Sequence, residues 1–387
     1  MSIRNNIREY GMYIALITIW IFFYFMTQGL FMSPRNINNL FLQTGYIAVL
    51  GVGMTLIIII RHIDLSVGYL AGFIGAVTAL LLRDTGMSLK LVIPLSLALG
   101  AAIGLINGFF VAKVKIPAFV TTLAGMLVFR GLLLEVTNSE TILPKNEGLE
   151  KIGNGYIDSL AVLKLGNLEV HLLTLLIGII GVLLLIGISL YGRQKKQQYG
   201  FENSSTEIFI VKQVIMSLAI LSITWLQATY KGLSITMLIV LIVVIVYHIM
   251  MNLTVLGRHI YAVGGNPEAA NLSGISVEKI TLFVFGSMGT LAALSGILYT
   301  ARLNSATPSA GQMFELDAIA AAFIGGASAA GGVGKVTGAI TGALVMASLT
   351  NGMNLMGVGI SMQYLIRGLV LVAAVVFDVK TRNMKAA

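Results

Sequence analysis

An all-α polytopic membrane protein with about 12 transmembrane helices (range roughly 10–12) and an inverted internal repeat is the fold class this sequence predicts. Three observations carry it. The 387 residues are 57% hydrophobic and only 11% charged, where a soluble domain carries about 25% charged residues. Apolar runs long enough to cross a bilayer recur from one end of the chain to the other. Two parts of the chain share an ordered series of landmarks.

A run of about 20 apolar residues spans a bilayer. Such runs fall at roughly 11–31, 43–60, 66–82, 91–112, 117–136, 171–191, 209–229, 233–251, 281–300, 316–329, 336–356 and 362–378. The tenth is short and rich in Gly and Ala, the composition of a broken or re-entrant helix. Arg4 and Arg8 precede a first run too long for a signal peptide, with no small-residue cleavage pattern behind it, so an uncleaved span is expected. Cytoplasmic loops carry an excess of Lys and Arg. Arg4 and Arg8 thus put the N-terminus in the cytoplasm. Lys113 and Lys115, then Arg193, Lys195 and Lys196, then Arg258, His259 and Lys279, fall on the same side, as do Lys380, Arg382 and Lys385 at the tail. That agreement requires an even number of spans, the short one included. The mixed-charge loop at 137–170 (Glu140, Lys145, Glu147, Glu150, Lys151, Asp158, Glu169) then lies outside.

The net charge of +9 sits at the ends of apolar runs, which excludes nucleic acid as a partner. With 0 Cys there is neither a disulfide framework nor a Cys-based metal site. The 4 His (His62, His171, His248, His259) form no ligand spacing, and neither a metal nor a cofactor is expected.

The internal repeat rests on order rather than on any single match. The first part reads Ile63-Asp64, Gly72-Phe73-Ile74-Gly75, Gly100 and Gly104, Asn107-Gly108, then Phe129-Arg130-Gly131-Leu132-Leu133-Leu134. The second reads Leu316-Asp317, Phe323-Ile324-Gly325-Gly326, Gly338 and Gly342, Asn351-Gly352, then Ile366-Arg367-Gly368-Leu369-Val370-Leu371. The span holding Arg130 runs outward and that holding Arg367 inward, so the repeat is inverted. Transporters place a substrate path between two such halves. The expected organisation is one transmembrane domain over 1–387: repeat 1 at about 43–136, inserted spans at about 160–251, a polar loop at 252–280 and repeat 2 at about 281–378.

Ionisable residues within spans are functional suspects. Arg130 and Arg367 occupy equivalent repeat positions. They either line the path or anchor short helix ends by hydrogen-bonding free carbonyls. Glu135 is either a polar contact beside the path or a helix end at the outer interface. Asp64 and Asp317 precede Gly-rich helices and are read as caps, with solute contact as the lesser alternative. Asn107, Gln312 and Asn351 each donate and accept hydrogen bonds, as a hydroxyl-rich solute requires, although small polar residues also simply pack between helices. Gly100/Gly104 and Gly338/Gly342 have the spacing of close helix packing.

Gly331-Gly332-Val333-Gly334-Lys335-Val336-Thr337 fails as a phosphate loop twice: Ala329 replaces the first Gly, and Val336 follows the Lys. It reads as a flexible cytoplasmic turn. No nucleophile elbow, zinc-protease motif or acid cluster is present, so the chain is not expected to be an enzyme or to hydrolyse ATP itself.

The polar stretch 257–280 reads as a helix of about two turns in a cytoplasmic loop. Asn266 is its N-cap, Pro267 its first residue, Glu268 an acid in its first turn and Gly274 its C-cap. It is either an ordinary amphipathic loop helix or a docking element. Its pattern, Glu268-Ala269-Ala270 then Gly274, resembles the coupling loop by which ABC-importer permeases dock on their ATPase.

The resemblance extends over nearly the whole chain. It is carried by Arg61-His62-Ile63-Asp64-Leu65-Ser66-Val67-Gly68, by Thr122-Leu123-Ala124-Gly125-Met126 with Phe129-Arg130-Gly131, and by Tyr261-Ala262-Val263-Gly264-Gly265-Asn266-Pro267-Glu268-Ala269-Ala270 with Ser273-Gly274-Ile275. Ser309-Ala310-Gly311, Leu316-Asp317-Ala318-Ile319-Ala320-Ala321 and Ala330-Gly331-Gly332-Val333-Gly334 complete it. Together they resemble the sugar permeases of the ribose/xylose class of ABC importers. The extra material at about 160–232 is similar to the xylose or multiple-sugar branch. Arg61-His62 departs from the pattern in being more basic than expected. The resemblance implies a type II ABC-importer-like fold in a bacterial plasma (inner) membrane. It also implies a homodimer, an ATP-binding cassette subunit, and an extracytoplasmic sugar-binding protein. Coupling to the ATPase would fall to Arg258, Asn266, Pro267, Glu268, Ala269, Ala270 and Gly274. The rival is an ion-driven secondary transporter, which needs a titrating acid near mid-membrane; Glu135 is the nearest candidate, toward a span end.

Overall fold

The computed structural model describes residues 7–159, 161–165, 168–200 and 205–386, with side chains over 11–159, 161–164, 169–200 and 205–376. Arg4 therefore lies outside the described residues, and so do the side chains of Arg8, Lys380, Arg382 and Lys385. The chain forms two compact units. One comprises Tyr156–Ser234 with Met32–Asn39; the other comprises the rest of the described residues.

In chain order the helices are α1 (Ile7–Met26), α2 (Pro34–Ile59), α3 (Val67–Asp84), α4 (Leu89–Ala112), α5 (Ala118–Thr137), α6 (Glu147–Asn154), α7 (Leu172–Gln198), α8 (Thr206–Ala228), α9 (Ile235–Leu253), α10 (Val255–Gly265), α11 (Pro267–Leu272), α12 (Val277–Leu303), α13 (Phe314–Ile324), α14 (Val336–Leu355) and α15 (Ile360–Ala386). Among the described residues 9 of them are long and apolar enough to cross a membrane, and the apolar stretches Gly11–Met26 and Ile360–Val376 are shorter. Two short antiparallel strands, β1 (Val162–Leu165) and β2 (Leu168–His171), precede α7. The all-helical expectation missed them, because four residues of alternation carry little signal within a mixed loop.

The smaller unit is built on the α7–α8 hairpin. Gly178 of α7 lies against Thr224 of α8, and Thr174 Oγ1 accepts the Leu233 amide at 3.0 Å. Leu183, Ile188, Ile215 and Leu218 are exposed. Apolar side chains all round a helix are stable where the surroundings are lipid.

The larger unit is centred on α2 and α12. Val49, Leu50, Val52, Met54, Leu56 and Ile57 of α2 are fully buried. In α12 small residues, Gly286, Gly289, Ala292, Ala293, Ser295 and Gly296, are buried among larger ones such as Phe285, Met288 and Leu291. Lipid supplies no hydrophobic drive between helices, so close backbone approach takes over. A Cβ on Gly100 or Gly104 would meet the backbone of Gly289 or Phe285, and a Cβ on Gly289 the backbone of Gly100 and Gly104. Gly338 and Gly342 likewise bring α14 onto the backbone of Gly325 and Ala321 in and after α13. Ser295 Oγ donates to the Tyr46 carbonyl at 2.9 Å, and Tyr46, Tyr299 and Phe314 close a ring cluster with centroids 4.8–5.1 Å apart. α3 packs on α4 and α5, and α13 packs on α14 and α15.

Gly289→Leu is therefore expected to destabilise the protein, since overpacking costs about 1–3 kcal/mol. Its thermal midpoint in detergent should fall by several degrees. Gly181→Leu, where nothing lies within 4 Å of a built Cβ, should leave it unchanged. Equal midpoints would contradict the crossing.

The tenth predicted run resolves into an 11-residue helix, α13. At 1.5 Å per residue it covers about 17 Å of a core about 30 Å thick, too little to cross alone. The chain nevertheless passes between opposite ends of the larger unit here. Ala306 pairs with Ile142, beyond the C-terminus of α5, and the Gly332 amide donates to the Ile59 carbonyl at the C-terminus of α2 at 2.8 Å. Irregular backbone at membrane depth is tolerated where protein buries it, and Ala318–Phe323 are buried.

Candidate functional site

The polar loop begins at Thr254, whose Oγ1 accepts the Gly257 amide at 3.2 Å and so caps α10. α10 buries Gly257, Ile260, Val263 and Gly264 and exposes Arg258. Asn266 joins two helices. Its backbone is extended and its amide closes α10 on the Ala262 carbonyl. Its Oδ1 accepts the Glu268 and Ala269 amides, each at 3.0 Å, and starts α11. Pro267 follows at the first helical position. The helix stops in a Schellman arrangement: the Ile275 amide reaches the Ala270 carbonyl, and the Gly274 amide the Asn271 carbonyl, each at 3.0 Å. Gly274 has φ +83°. Within α11 only Ala270 is buried. Glu268, Ala269, Asn271 and Leu272 face outward, Leu272 at 89% exposure. Pro267, Glu268, Asn271 and Gly274 line a cavity of about 540 Å³ together with Lys115 and Glu278.

Glu278, in the first turn of α12, pairs with Lys113 at 2.5 Å and Lys115 at 3.4 Å. The α4–α5 loop is thereby tied to the start of α12. The structure thus gathers at one end of the larger unit the α2–α3 and α4–α5 loops, the α10–α11 segment and the Gly331–Gly334 turn.

The polar residues proposed along a path fall into separate settings. Asp64 Oδ1 accepts the Ser66 amide at 2.9 Å and the Ser66 hydroxyl at 2.6 Å, ahead of α3. Burial pushes its carboxyl up to about 6 against those bonds. Asn107 is buried in α4 and donates to Ser66 Oγ at 3.1 Å. Thr122 Oγ1 adds a bond to the Ile63 carbonyl at 3.3 Å. Asn351 is buried in α14, while Gln312 is exposed before α13. Asp317 does not precede its helix; it lies in the first turn of α13 and pairs with Arg367 of α15. Arg130 is exposed, its guanidinium 5.7 Å from the Tyr69 ring centroid. Glu135, near the end of α5, is exposed as well.

Residues 36–375 match the family described as branched-chain amino acid transport system / permease component. The chain belongs to this family. The permease is 39% identical over 378 residues to the xylose transport system permease protein of Escherichia coli (strain K12), covering 98% of this chain and 93% of that one. It is 40% identical over 383 residues to the xylose transport system permease protein of Haemophilus influenzae, covering 98% of both chains. It is 35% identical over 350 residues to the ribose import permease protein of Escherichia coli (strain K12), covering 90% of this chain and 87% of that one. No solved structure matches.

Sequence reasoning missed Glu315 in the permease. It is 7% exposed at the start of α13, and its Oε2 has no hydrogen-bond partner among the described residues. The available signal was an acid two positions before Asp317 at the head of an apolar run. Starting the span at 316 hid it.

Proposed function

We propose that this chain is the transmembrane permease subunit of an ATP-driven ABC importer, taking up a monosaccharide (xylose or a related sugar) delivered by an extracytoplasmic binding protein. The observation that carries it is the 39–40% identity to two xylose permeases over 98% of the chain. ATP is hydrolysed on a separate subunit. That subunit docks on α11, helped by Arg258 and by the Glu268–Gly274 surface. Two permeases pair in the membrane, with both termini in the cytoplasm and the 137–170 loop outside.

α2–α5 and α12–α15 form the two inverted repeats. In support, α3 contacts α4 and α5 as α13 contacts α14 and α15. A loaded binding protein docks outside, ATP closes the paired ATPase subunits, and α11 passes the movement to the repeats, which rock about the path. Asn107, Gln312 and Asn351, with Arg130 and Arg367, are the polar groups offered to the sugar.

One observation favours a proton-driven transporter instead: Glu315 is a buried acid of the kind that mechanism needs. A mild-detergent pull-down from native membranes, followed by uptake of labelled xylose in liposomes, separates the two. The importer reading expects a stoichiometric ATPase subunit and uptake that requires ATP. Recovery of the permease alone, with uptake driven by a pH gradient and abolished by Glu315→Gln, would replace it.

A further inference from the structure

The sequence left two features without a role: the basic Arg61 in a pattern where less basic residues were expected, and the glycine turn that fails as a phosphate loop. In the structure both converge on the C-terminus of α10, immediately before α11. The last carbonyls of a helix have no partner within it and need one from outside. Arg61 supplies it. Its Nε donates to the Gly264 carbonyl at 2.6 Å, and its Nη2 to the Gly265 carbonyl. Gly265 is the residue before Asn266, the cap that starts α11.

Arg61 reaches them from an unusual backbone. Its φ is +66°, a conformation that residues other than Gly, Asn and Asp seldom adopt. Its amide closes on the Ile58 carbonyl at 2.9 Å, directly after α2. The side chain is aimed at α10 by a turn that is costly for an arginine.

The glycine turn holds the same spot from the other side. The Gly332 amide donates to the Ile59 carbonyl at 2.8 Å. Gly331 and Gly332 have φ +80° and +69°, and a Cβ on either would meet Gly264 or Gly265. A Cβ on Gly264 would meet the Ile59 carbonyl and the Gly332 amide. Tyr261 of α10 donates its hydroxyl to the Gly334 carbonyl at 2.7 Å. Three backbone segments thus meet around the Arg61 side chain: the end of α2, the end of α10 and the α13–α14 turn.

We infer that Arg61, with the Gly331–Gly334 turn, is the joint that transmits displacement of α11 to α2 and to the α13–α14 turn at once. This rests on α11 being the ATPase-docking helix. A planar fork binding two carbonyls fixes orientation as well as position, which a coupling joint needs and a solvent loop does not. Arg61 is a positioning residue: it touches neither sugar nor nucleotide. α2 belongs to the first repeat and the turn to the second, so one joint serves both halves.

The test uses the permease purified with its ATPase subunit and reconstituted with its binding protein. Labelled xylose taken up is measured per ATP hydrolysed. Arg61→Ala should lower that ratio about tenfold, the effect of losing one to two charge-assisted hydrogen bonds, while the ATPase still co-purifies and hydrolyses ATP. Arg61→Lys, which keeps the charge but not the fork, should recover part of the loss. Tyr261→Phe removes a single hydroxyl and should lower the ratio by about two- to threefold; it decides the matter if Arg61→Ala does not insert. A wild-type ratio in Arg61→Ala, or in Tyr261→Phe where Arg61→Ala is not obtained, would overturn the joint if Glu268→Lys is inactive in the same assay. If Glu268→Lys also transports normally, the docking assignment of α11 fails first and takes the joint with it.

Discussion

Glu268→Lys is expected to abolish sugar uptake while leaving the permease inserted and folded. Glu268 is exposed in the first turn of α11, and its backbone amide, not its side chain, makes the bond to Asn266. A cation there opposes the positive end of the helix, at a cost of about 0.3–1 kcal/mol. That is too little to unfold a domain, and the cap, the Schellman stop and buried Ala270 all remain. At a docking surface the same change reverses a charge against a partner built for an acid, which costs several kcal/mol. A loss of about 4 kcal/mol weakens association roughly a thousandfold. Uptake should fall below roughly one per cent of wild type, the ATPase should cease to co-purify, and the gel-filtration profile should stay that of wild type. Uptake within twofold of wild type would remove α11 from the coupling path. Leu272, the largest apolar side chain exposed on that helix, provides a second handle: Leu272→Asp should weaken the same association through lost apolar contact.

What the sequence disclosed and what it hid divide along a physical line. The start and stop of α11 were legible because Asn266, Pro267, Glu268 and Gly274 act within eight positions of one another, through caps that depend only on local backbone. The long apolar helices were legible because bilayer thickness sets their length. α10 was not legible. It carries Gly257, Gly264 and Gly265 in 11 residues, and glycine costs a helix about 1 kcal/mol each. It forms because Ile260 and Val263 are buried and because Arg61, some two hundred positions away, satisfies its final carbonyls. The glycine turn was read as flexible because Gly-rich sequence is silent about what packs on it. In the structure its glycines are where two other backbones come closest. Glu315 was overlooked because a span boundary drawn one residue late places an acid in a loop.

The ion pair of Arg367 and Asp317 yields the second large effect, and it tests how far equivalent sequence positions imply equivalent roles. Arg130 and Arg367 hold matching places in the two landmark series, yet the structure treats them differently. Arg367 and Asp317 pair between α15 and α13, their side chains 16% and 17% exposed. Arg130 is exposed over Tyr69, and the matching acid, Asp64, is taken up by Ser66 instead. Removing one member of a buried pair leaves an uncompensated charge and costs about 3–5 kcal/mol. Here the orphaned Asp317 would sit in the first turn of α13 beside Glu315, on the helix too short to cross by itself. Arg367→Ala should therefore lower the thermal midpoint sharply and release α13 from α15. Replacing both partners, Asp317→Leu with Arg367→Met, should recover most of the stability, because the penalty lies in the unpaired charge rather than in the absent bond. Arg130→Ala forfeits a cation–π contact worth about 0.5–1 kcal/mol and should barely shift the midpoint. If the two single arginine variants proved equally destabilised, the contrast between the two positions would be wrong. Loss of uptake in Arg130→Ala at unchanged stability is the result that its proposed place beside the sugar path requires, and Arg367 would then serve the scaffold as well. Such a division is one an inverted repeat can reach without changing its sequence landmarks.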